Sequence, residues 1–227
     1  MCPPLLIFDL DGTLVDTAPD ILATLERTLA AFGFGQAEAG VSTAIIGRGS
    51  RAMIEQALAA QGRDAPADLV GEMHAAFLED YGRHICDKSR LYSGAEACLD
   101  RFAAAGWRFA VCTNKLEALS VSLLTKLGLA SRFAAICGAD MVAVAKPDPG
   151  HVLETVRRAG GNLQQTVMVG DSASDIGAAR AASVPVVGVT FGYTPTPMRL
   201  LEPDLELDRF DALTPAEAGR LIGVPVA

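Results

Sequence analysis

Apolar residues fall along the chain in short unbroken runs, and each run stops at polar residues or a loop. Leu5-Leu6-Ile7-Phe8 stops at Asp9, and residues 107–112 stop at Thr113-Asn114. Thr166-Val167-Met168-Val169 stops at Gly170-Asp171, and residues 133–137 and 184–189 give two more runs. Runs of this length with β-branched residues suit strands covered on both faces, as in a parallel sheet. Between them the apolar spacing changes to three and four. Residues 94–105, 116–127, 150–159 and 173–182 read as helices, and Gly106, Gly128 and Gly160 follow three of them as stops. Strand and helix in alternation predict an open α/β sheet with helices on its faces.

One interval breaks this rhythm. Across residues 18–85 the pattern is helix after helix with no clear strand. Leu22, Leu25, Leu29 and Phe32 share one helical face; Met53, Ile54, Ala57 and Leu58 share another, as do Leu69, Met73, Ala76 and Phe77. A segment this long between the first two strands is too long for a crossover, and predicts an inserted helical lobe. The expected organisation is an α/β core formed by residues 1–17 and 88–227, with a helical lobe over residues 18–87.

Composition narrows the classes. The chain has 227 residues, half of them apolar. At ~150 residues per domain this fits one core with a smaller insertion, and it excludes a disordered chain. Nineteen basic against 27 acidic residues give a net charge of −8, which argues against a nucleic-acid binder. An anionic substrate remains compatible, because a site needs only local positive charge. The five cysteines are odd in number and lack a Cys-x-x-Cys spacing, so neither a disulfide framework nor a structural zinc site is expected. No 18-residue apolar stretch and no basic leader precede the first polar cluster, so a cytoplasmic chain without a membrane partner is expected.

Four polar clusters lie beside the expected strand ends, where open α/β sheets bind ligands. In Asp9-Leu10-Asp11-Gly12-Thr13, one carboxylate could attack phosphorus and the other could handle the leaving-group proton, although Asp-Gly is also an ordinary turn signal. In Thr113-Asn114-Lys115, a hydroxyl and backbone N–H groups could hold a phosphoryl oxygen, or the segment could simply cap the next helix. Lys146, one of only four lysines, follows Val142-Ala143-Val144-Ala145 and precedes Pro147. A fixed cation there could neutralise a phosphoryl group, or it could be a loop lysine. In Gly170-Asp171-Ser172-Ala173-Ser174-Asp175, Asp171 together with Asp9 would suit a hard Mg²⁺ ion. A helix cap would explain Asp171 or Ser172 but leaves Asp175 unaccounted for.

The order Asp-x-Asp, Thr, Lys, Gly-Asp-x-x-x-Asp resembles the haloacid dehalogenase-like hydrolase superfamily over nearly the whole chain. Phe8-Asp9-Leu10-Asp11-Gly12-Thr13-Leu14-Val15-Asp16-Thr17 is similar to its first motif, and the other three clusters are similar to the second, third and fourth. Tyr92-Ser93-Gly94, the Thr-Asn-Lys form of the second motif and Thr190-Phe191-Gly192-Tyr193 resemble the phosphoglycolate phosphatase group. Ser183 and Thr194 depart from it, standing where that group commonly has glycine and asparagine.

The resemblance implies a three-layer Rossmann-like core with an α-helical cap and a Mg²⁺-dependent phosphatase of a small phosphorylated metabolite, 2-phosphoglycolate foremost. It implies Asp9 as nucleophile, Asp11 as acid and then base, Thr113 and Asn114 as phosphoryl ligands, and Lys146 as the cation steadying both. Metal would be held by Asp9, the Asp11 main-chain carbonyl and Asp171, with Asp175 supporting the shell or orienting Lys146. Arg48 and Arg51, flanked by Gly47 and Gly49, are candidates for a second anionic group of the substrate, or for solvated arginines at a helix start. A monomer or homodimer is expected. A phosphosugar mutase of β-phosphoglucomutase type, a phosphatase of another sugar phosphate, and a catalytically silent binding protein are the alternatives. His74, His84 and His151 show no metal spacing, and residues 204–211 read as a solvated strand or loop face.

Overall fold

A computed structural model of the chain describes residues 2–35, 46, 49–63 and 66–223. The strands are β1 (Leu5–Phe8), β2 (Val15–Asp16), β3 (Arg90–Leu91), β4 (Arg108–Cys112), β5 (Ala135–Cys137), β6 (Thr166–Gly170), β7 (Val186–Val189) and β8 (Leu205–Leu207). The α-helices are α1 (Ala18–Ala31), α2 (Ser50–Ala60), α3 (Ala67–Arg83), α4 (Ala95–Ala104), α5 (Glu117–Lys126), α6 (Pro149–Arg158), α7 (Ala173–Ala181) and α8 (Pro215–Leu221). Six strands form one sheet in the order β5-β4-β1-β6-β7-β8, and every pairing in it is parallel.

The unbroken apolar runs follow from this placement. On β1, Leu6 and Phe8 point into one apolar layer with α4 and α5 residues such as Leu99, Phe102, Leu123 and Leu124. Leu5 and Ile7 point into the other, against Val152 and Val156 of α6 and Ile176 and Ala179 of α7. A strand covered on both faces has no polar side to alternate with. The architecture is therefore an α/β three-layer core with a parallel sheet, plus a helical segment.

That helical segment is α1 to α3. Ile21, Leu25 and Leu29 of α1, Met53, Ile54, Ala57 and Leu58 of α2, and Val70, Met73, Phe77 and Tyr81 of α3 are buried together and are continuous with the first apolar layer. Its two ends meet in a small antiparallel ribbon, where Val15 pairs with Leu91 and Asp16 with Arg90. Two residues per strand carry no readable period, so the ribbon left no trace in the hydrophobic pattern. Asp20 ties the same junction. Its buried carboxylate accepts from the Lys88 N–H at 3.0 Å, the Ser89 N–H at 2.7 Å and the Ser89 hydroxyl at 2.7 Å.

Residues 204–211, read as a solvated strand or loop face, carry the outer strand β8 beside β7, with Glu206 exposed and Leu207 buried. The apolar run before Lys146 does not cover that lysine, since Val144 is 59% exposed. Lys146 is buried because its side chain reaches back under the sheet's carboxyl end. No helix among the described residues is long and apolar enough to cross a membrane.

Candidate active site

The carboxyl ends of β1, β4 and β6, with the loops after β5 and β7, converge on one cleft of about 710 Å³, lined among others by Asp9, Asp11, Thr113, Lys115, Lys146 and Asp171. Asp9 follows β1 directly. Its Oδ1 accepts from the Leu10 N–H at 2.7 Å and lies 3.1 Å from Lys146 Nζ. Oδ2 has no hydrogen-bond partner among the described residues and is left for a ligand. Oxygen atoms of Asp9, Asp171 and Asp175 come within 4.8 Å of one another.

Lys146 is the hub of this cluster. Nζ donates to Asp175 Oδ1 at 2.6 Å and to the Cys112 carbonyl at 2.7 Å, and pairs with Asp9 Oδ1. Its side chain is 1% exposed, and Nζ has three oxygen partners. Burial opposes the charge, but Asp175 and Asp9 outweigh it and hold the ammonium above its ordinary range. Its backbone is braced as well. The Lys146 N–H donates to His151 Nδ1 at 3.3 Å, and Asn114 Nδ2 donates to the Lys146 carbonyl at 3.1 Å.

Asp175 does two jobs. Its Oδ2 accepts from the Ser172 N–H and hydroxyl, closing the N-terminus of α7, while Oδ1 takes Lys146. The expectation that a helix cap leaves Asp175 unexplained is therefore wrong: Asp175 belongs to the cap itself. Asp171 lies just before α7. Its Oδ1 accepts from the Thr13 hydroxyl at 3.0 Å and its Oδ2 from the Tyr193 N–H at 2.7 Å. Gly12, at φ +84°, makes this packing possible, since a Cβ there would lie 2.7 Å from Asp171 Oδ2.

Burial, above all, pushes Asp9 well above the usual carboxylate range; Lys146 pulls it down, and Asp175 and Asp11 add to the rise. Asp171 is pushed up the same way, by burial first and then by Asp175 and Asp9. Three buried carboxylates around one lysine leave an excess of negative charge that a divalent cation would relieve. The donor set is all oxygen, as hard cations require. The residues present thus fit a metal ion.

Asp11 points the other way, toward α1 and α3. Its Oδ1 accepts from the Thr17 hydroxyl at 2.7 Å and its Oδ2 lies 2.9 Å from Lys115 Nζ. Its side chain stays outside the acidic triad. Thr113 is buried, and its Oγ1 accepts from the Lys115 N–H. Asn114 Oδ1 is buried without a hydrogen-bond partner among the described residues. Arg51 lines the cleft but is half exposed and pairs with Glu55 at 3.3 Å. Arg48 lies outside the described residues.

Three contributors were not foreseen. Lys115 was noticed only as part of its cluster. Tyr193 was noticed only as part of a resemblance; its hydroxyl donates to Asp16 and accepts from the Thr17 and Ala18 N–H groups. His74, on α3 in the cleft, lies 3.0 Å from the Ser50 hydroxyl.

The sequence profile of the haloacid dehalogenase-like hydrolase family matches residues 6–189, a span that includes all four clusters. The chain belongs to that family. Among haloacid dehalogenase-like relatives, it is 48% identical over 219 residues to phosphoglycolate phosphatase of Agrobacterium fabrum, covering 96% of this chain and 94% of that one. It is 46% identical over 222 residues to phosphoglycolate phosphatase of Mesorhizobium japonicum, covering 98% of each. The crystal structure of a predicted phosphoglycolate phosphatase from Haemophilus somnus superposes with a TM-score of 0.85 at 30% identity, covering 92% of this chain and 95% of that one. CbbY of Rhodobacter sphaeroides, crystallised with xylulose-(1,5)bisphosphate, superposes with a TM-score of 0.78 at 25% identity, covering 94% and 96%. Proteins of this haloacid dehalogenase-like kind are generally metal-dependent, in keeping with the acidic triad of this chain.

Proposed function

We propose that the chain is a Mg²⁺-dependent phosphoric monoester hydrolase whose substrate is 2-phosphoglycolate. The observation that carries the reaction type is the division of labour between the two first-motif carboxylates. Asp9 faces Lys146 and the acidic triad, whereas Asp11 faces away from it, held by Thr17 and Lys115. This contrast supports Asp9 as the attacking group and Asp11 as the group that moves a proton. The substrate reading is supported by two relatives of that name at 46–48% identity.

In the first half-reaction an Asp9 oxygen bonds to phosphorus, the bond to the leaving oxygen breaks, and protonated Asp11 gives its proton to that oxygen. In the second, Asp11 accepts a proton from water as the water oxygen attacks the aspartyl-phosphate. The bond to Asp9 breaks and phosphate leaves. Lys146 keeps Asp9 oriented and offsets charge, and Thr113 and Asn114 stand beside the transferred group. Asp9, Asp171 and the Asp11 carbonyl would hold the metal, with Asp175 fixing Lys146. When bound, the cation supplies charge neutralisation for an anionic nucleophile approaching an anionic phosphate.

Residues 18–87 act in this reading as a cap that closes over the cleft and excludes water. The enzyme is taken to be cytoplasmic and a monomer or homodimer, which light scattering on a sizing column decides. A sugar-phosphate substrate is the second reading, favoured by the likeness to CbbY with its bisphosphate ligand. Phosphate release from a panel of esters, with Mg²⁺ and with EDTA, tests the proposal, with Asp9→Asn as the inactive control. Release fastest from 2-phosphoglycolate and dependent on Mg²⁺ is expected. Preference for a sugar phosphate would move the substrate, and turnover by Asp9→Asn would sink the mechanism.

A further inference from the structure

Two lysine ammonium groups are buried in the cleft, and they differ in what they have left to give. Lys146 has three oxygen partners: it donates to Asp175 and the Cys112 carbonyl and is ion-paired with Asp9. Lys115 has two. Its Nζ lies 2.9 Å from Asp11 Oδ2, donates to the Tyr81 hydroxyl at 3.0 Å and stands 4.5 Å from the centre of the Tyr81 ring. Its side chain is 6% exposed, yet it lines the cleft. The third donor has no partner among the described residues. An ammonium has no acceptor capacity, so an unused donor in a largely buried site asks for an acceptor from the ligand.

Position narrows what that acceptor is. Lys115 follows Thr113 and Asn114 at the end of β4, on the side of the cleft where α3 supplies Tyr81. A group bound to it would therefore sit on the helical side of the cleft. Arg51, the other described cation considered for this task, is half exposed and already paired with Glu55. Screening makes an exposed pair worth little, whereas a buried cation discriminates strongly.

We infer that Lys115 is the residue that selects substrates carrying a second anionic group, a carboxylate close to the phosphate ester, by directing its unused ammonium donor at that group. The inference rests on the proposed phosphomonoesterase activity. It replaces Arg51 as first choice for that role and makes Tyr81 the residue that positions the ammonium. Tyr81 is itself fixed by burial and by stacking on Phe77, with ring centres 5.9 Å apart.

The test compares 2-phosphoglycolate with ethyl phosphate, in which a methyl group replaces the carboxylate. Wild-type protein and Lys115→Met are assayed with Mg²⁺ on both esters. The Asp11 contact is lost for both, so a drop common to the two esters reports that contact. The carboxylate contact is lost for one only. The ratio of kcat/KM values should therefore fall by ~100-fold in Lys115→Met, mainly through KM for 2-phosphoglycolate. Lys115→Arg, which keeps the charge, should retain most of the preference. If Lys115→Met does not fold, Lys115→Gln carries the same comparison. An unchanged ratio in the variant overturns the inference while leaving the phosphatase reading intact. Wild-type turnover without preference for the carboxylated ester overturns the substrate reading, and this inference with it, before any variant is made.

Discussion

His151 offers a stringent check on how the Lys146 turn is held. The ring is fully buried. Nδ1 accepts the Lys146 N–H at 3.3 Å, so the ring proton sits on Nε2, which donates to the Cys137 carbonyl at 3.1 Å. A second proton would set an N–H against the Lys146 N–H and place a charge beside the Lys146 ammonium. Burial first, and Lys146 second, push His151 down from 6.5 to about 4. The unfolded chain therefore binds a proton at higher pH than the folded one. The resulting stability is complete above about pH 6.5, shrinks as the pH falls, and is gone below about pH 4. At 1.36 kcal/mol per unit the span is about 3 kcal/mol. Asp9 and Asp171 run the opposite way, because their folded values are raised, so the raw slope mixes signs. The assay is urea unfolding of wild type and His151→Asn between pH 4 and 7.5, metal-free, read as the difference between the two proteins. Asn keeps an acceptor for the Lys146 N–H but does not titrate. The deficit of His151→Asn should be largest near neutrality and shrink by up to about 3 kcal/mol toward pH 4. A gap constant across the range would refute the neutral buried ring.

Two further outcomes follow from the same geometry. Ser183 ends α7 in the left-handed region at φ 56°, with its N–H on the Arg180 carbonyl and the Val184 N–H on the Ala179 carbonyl. That is a helix stop suited to glycine. Ser183→Gly should raise stability by about 0.5–1 kcal/mol, or roughly 2–3 °C in Tm by calorimetry, since relief of the left-handed cost exceeds the added unfolded-state freedom. Mg²⁺ at about 100 times its Kd should add about 2.7 kcal/mol of stability, measured as a Tm rise that Asp171→Ala abolishes. An equal rise in that variant would locate the ion elsewhere.

The sheet was legible because its strands are covered on both faces and read as apolar blocks. Residues 5–8 and 166–169 needed no further signal. The β2–β3 ribbon was not legible, because two-residue strands have no period and their pairing spans the whole helical segment. β8 was legible only as a strand or loop face, because Asp204, Glu206 and Asp208 dominate its local composition, and only Leu207 is deeply buried. At the site, the four clusters announced themselves by residue type beside strand ends. The partners of those residues did not. The contacts from Lys146 to Cys112 and from Lys115 to Tyr81 each join residues 34 positions apart, and nothing in local spacing encodes them. Asp175 shows the limit from the other side. The sequence reading left it outside the helix cap, and sequence alone could not show that one carboxylate serves both cap and lysine.

The scarcity of lysine has a practical consequence. Of the four, Lys115 and Lys146 are buried as ion-paired ammonium groups, and a protonated amine is not a nucleophile. Lys88 and Lys126 are exposed. Acylating reagents applied to the folded protein should therefore modify those two and spare the cleft. Coupling the protein to an activated support through its lysine side chains should leave the catalytic machinery chemically untouched, and uptake of a third or fourth lysine label would report unfolding.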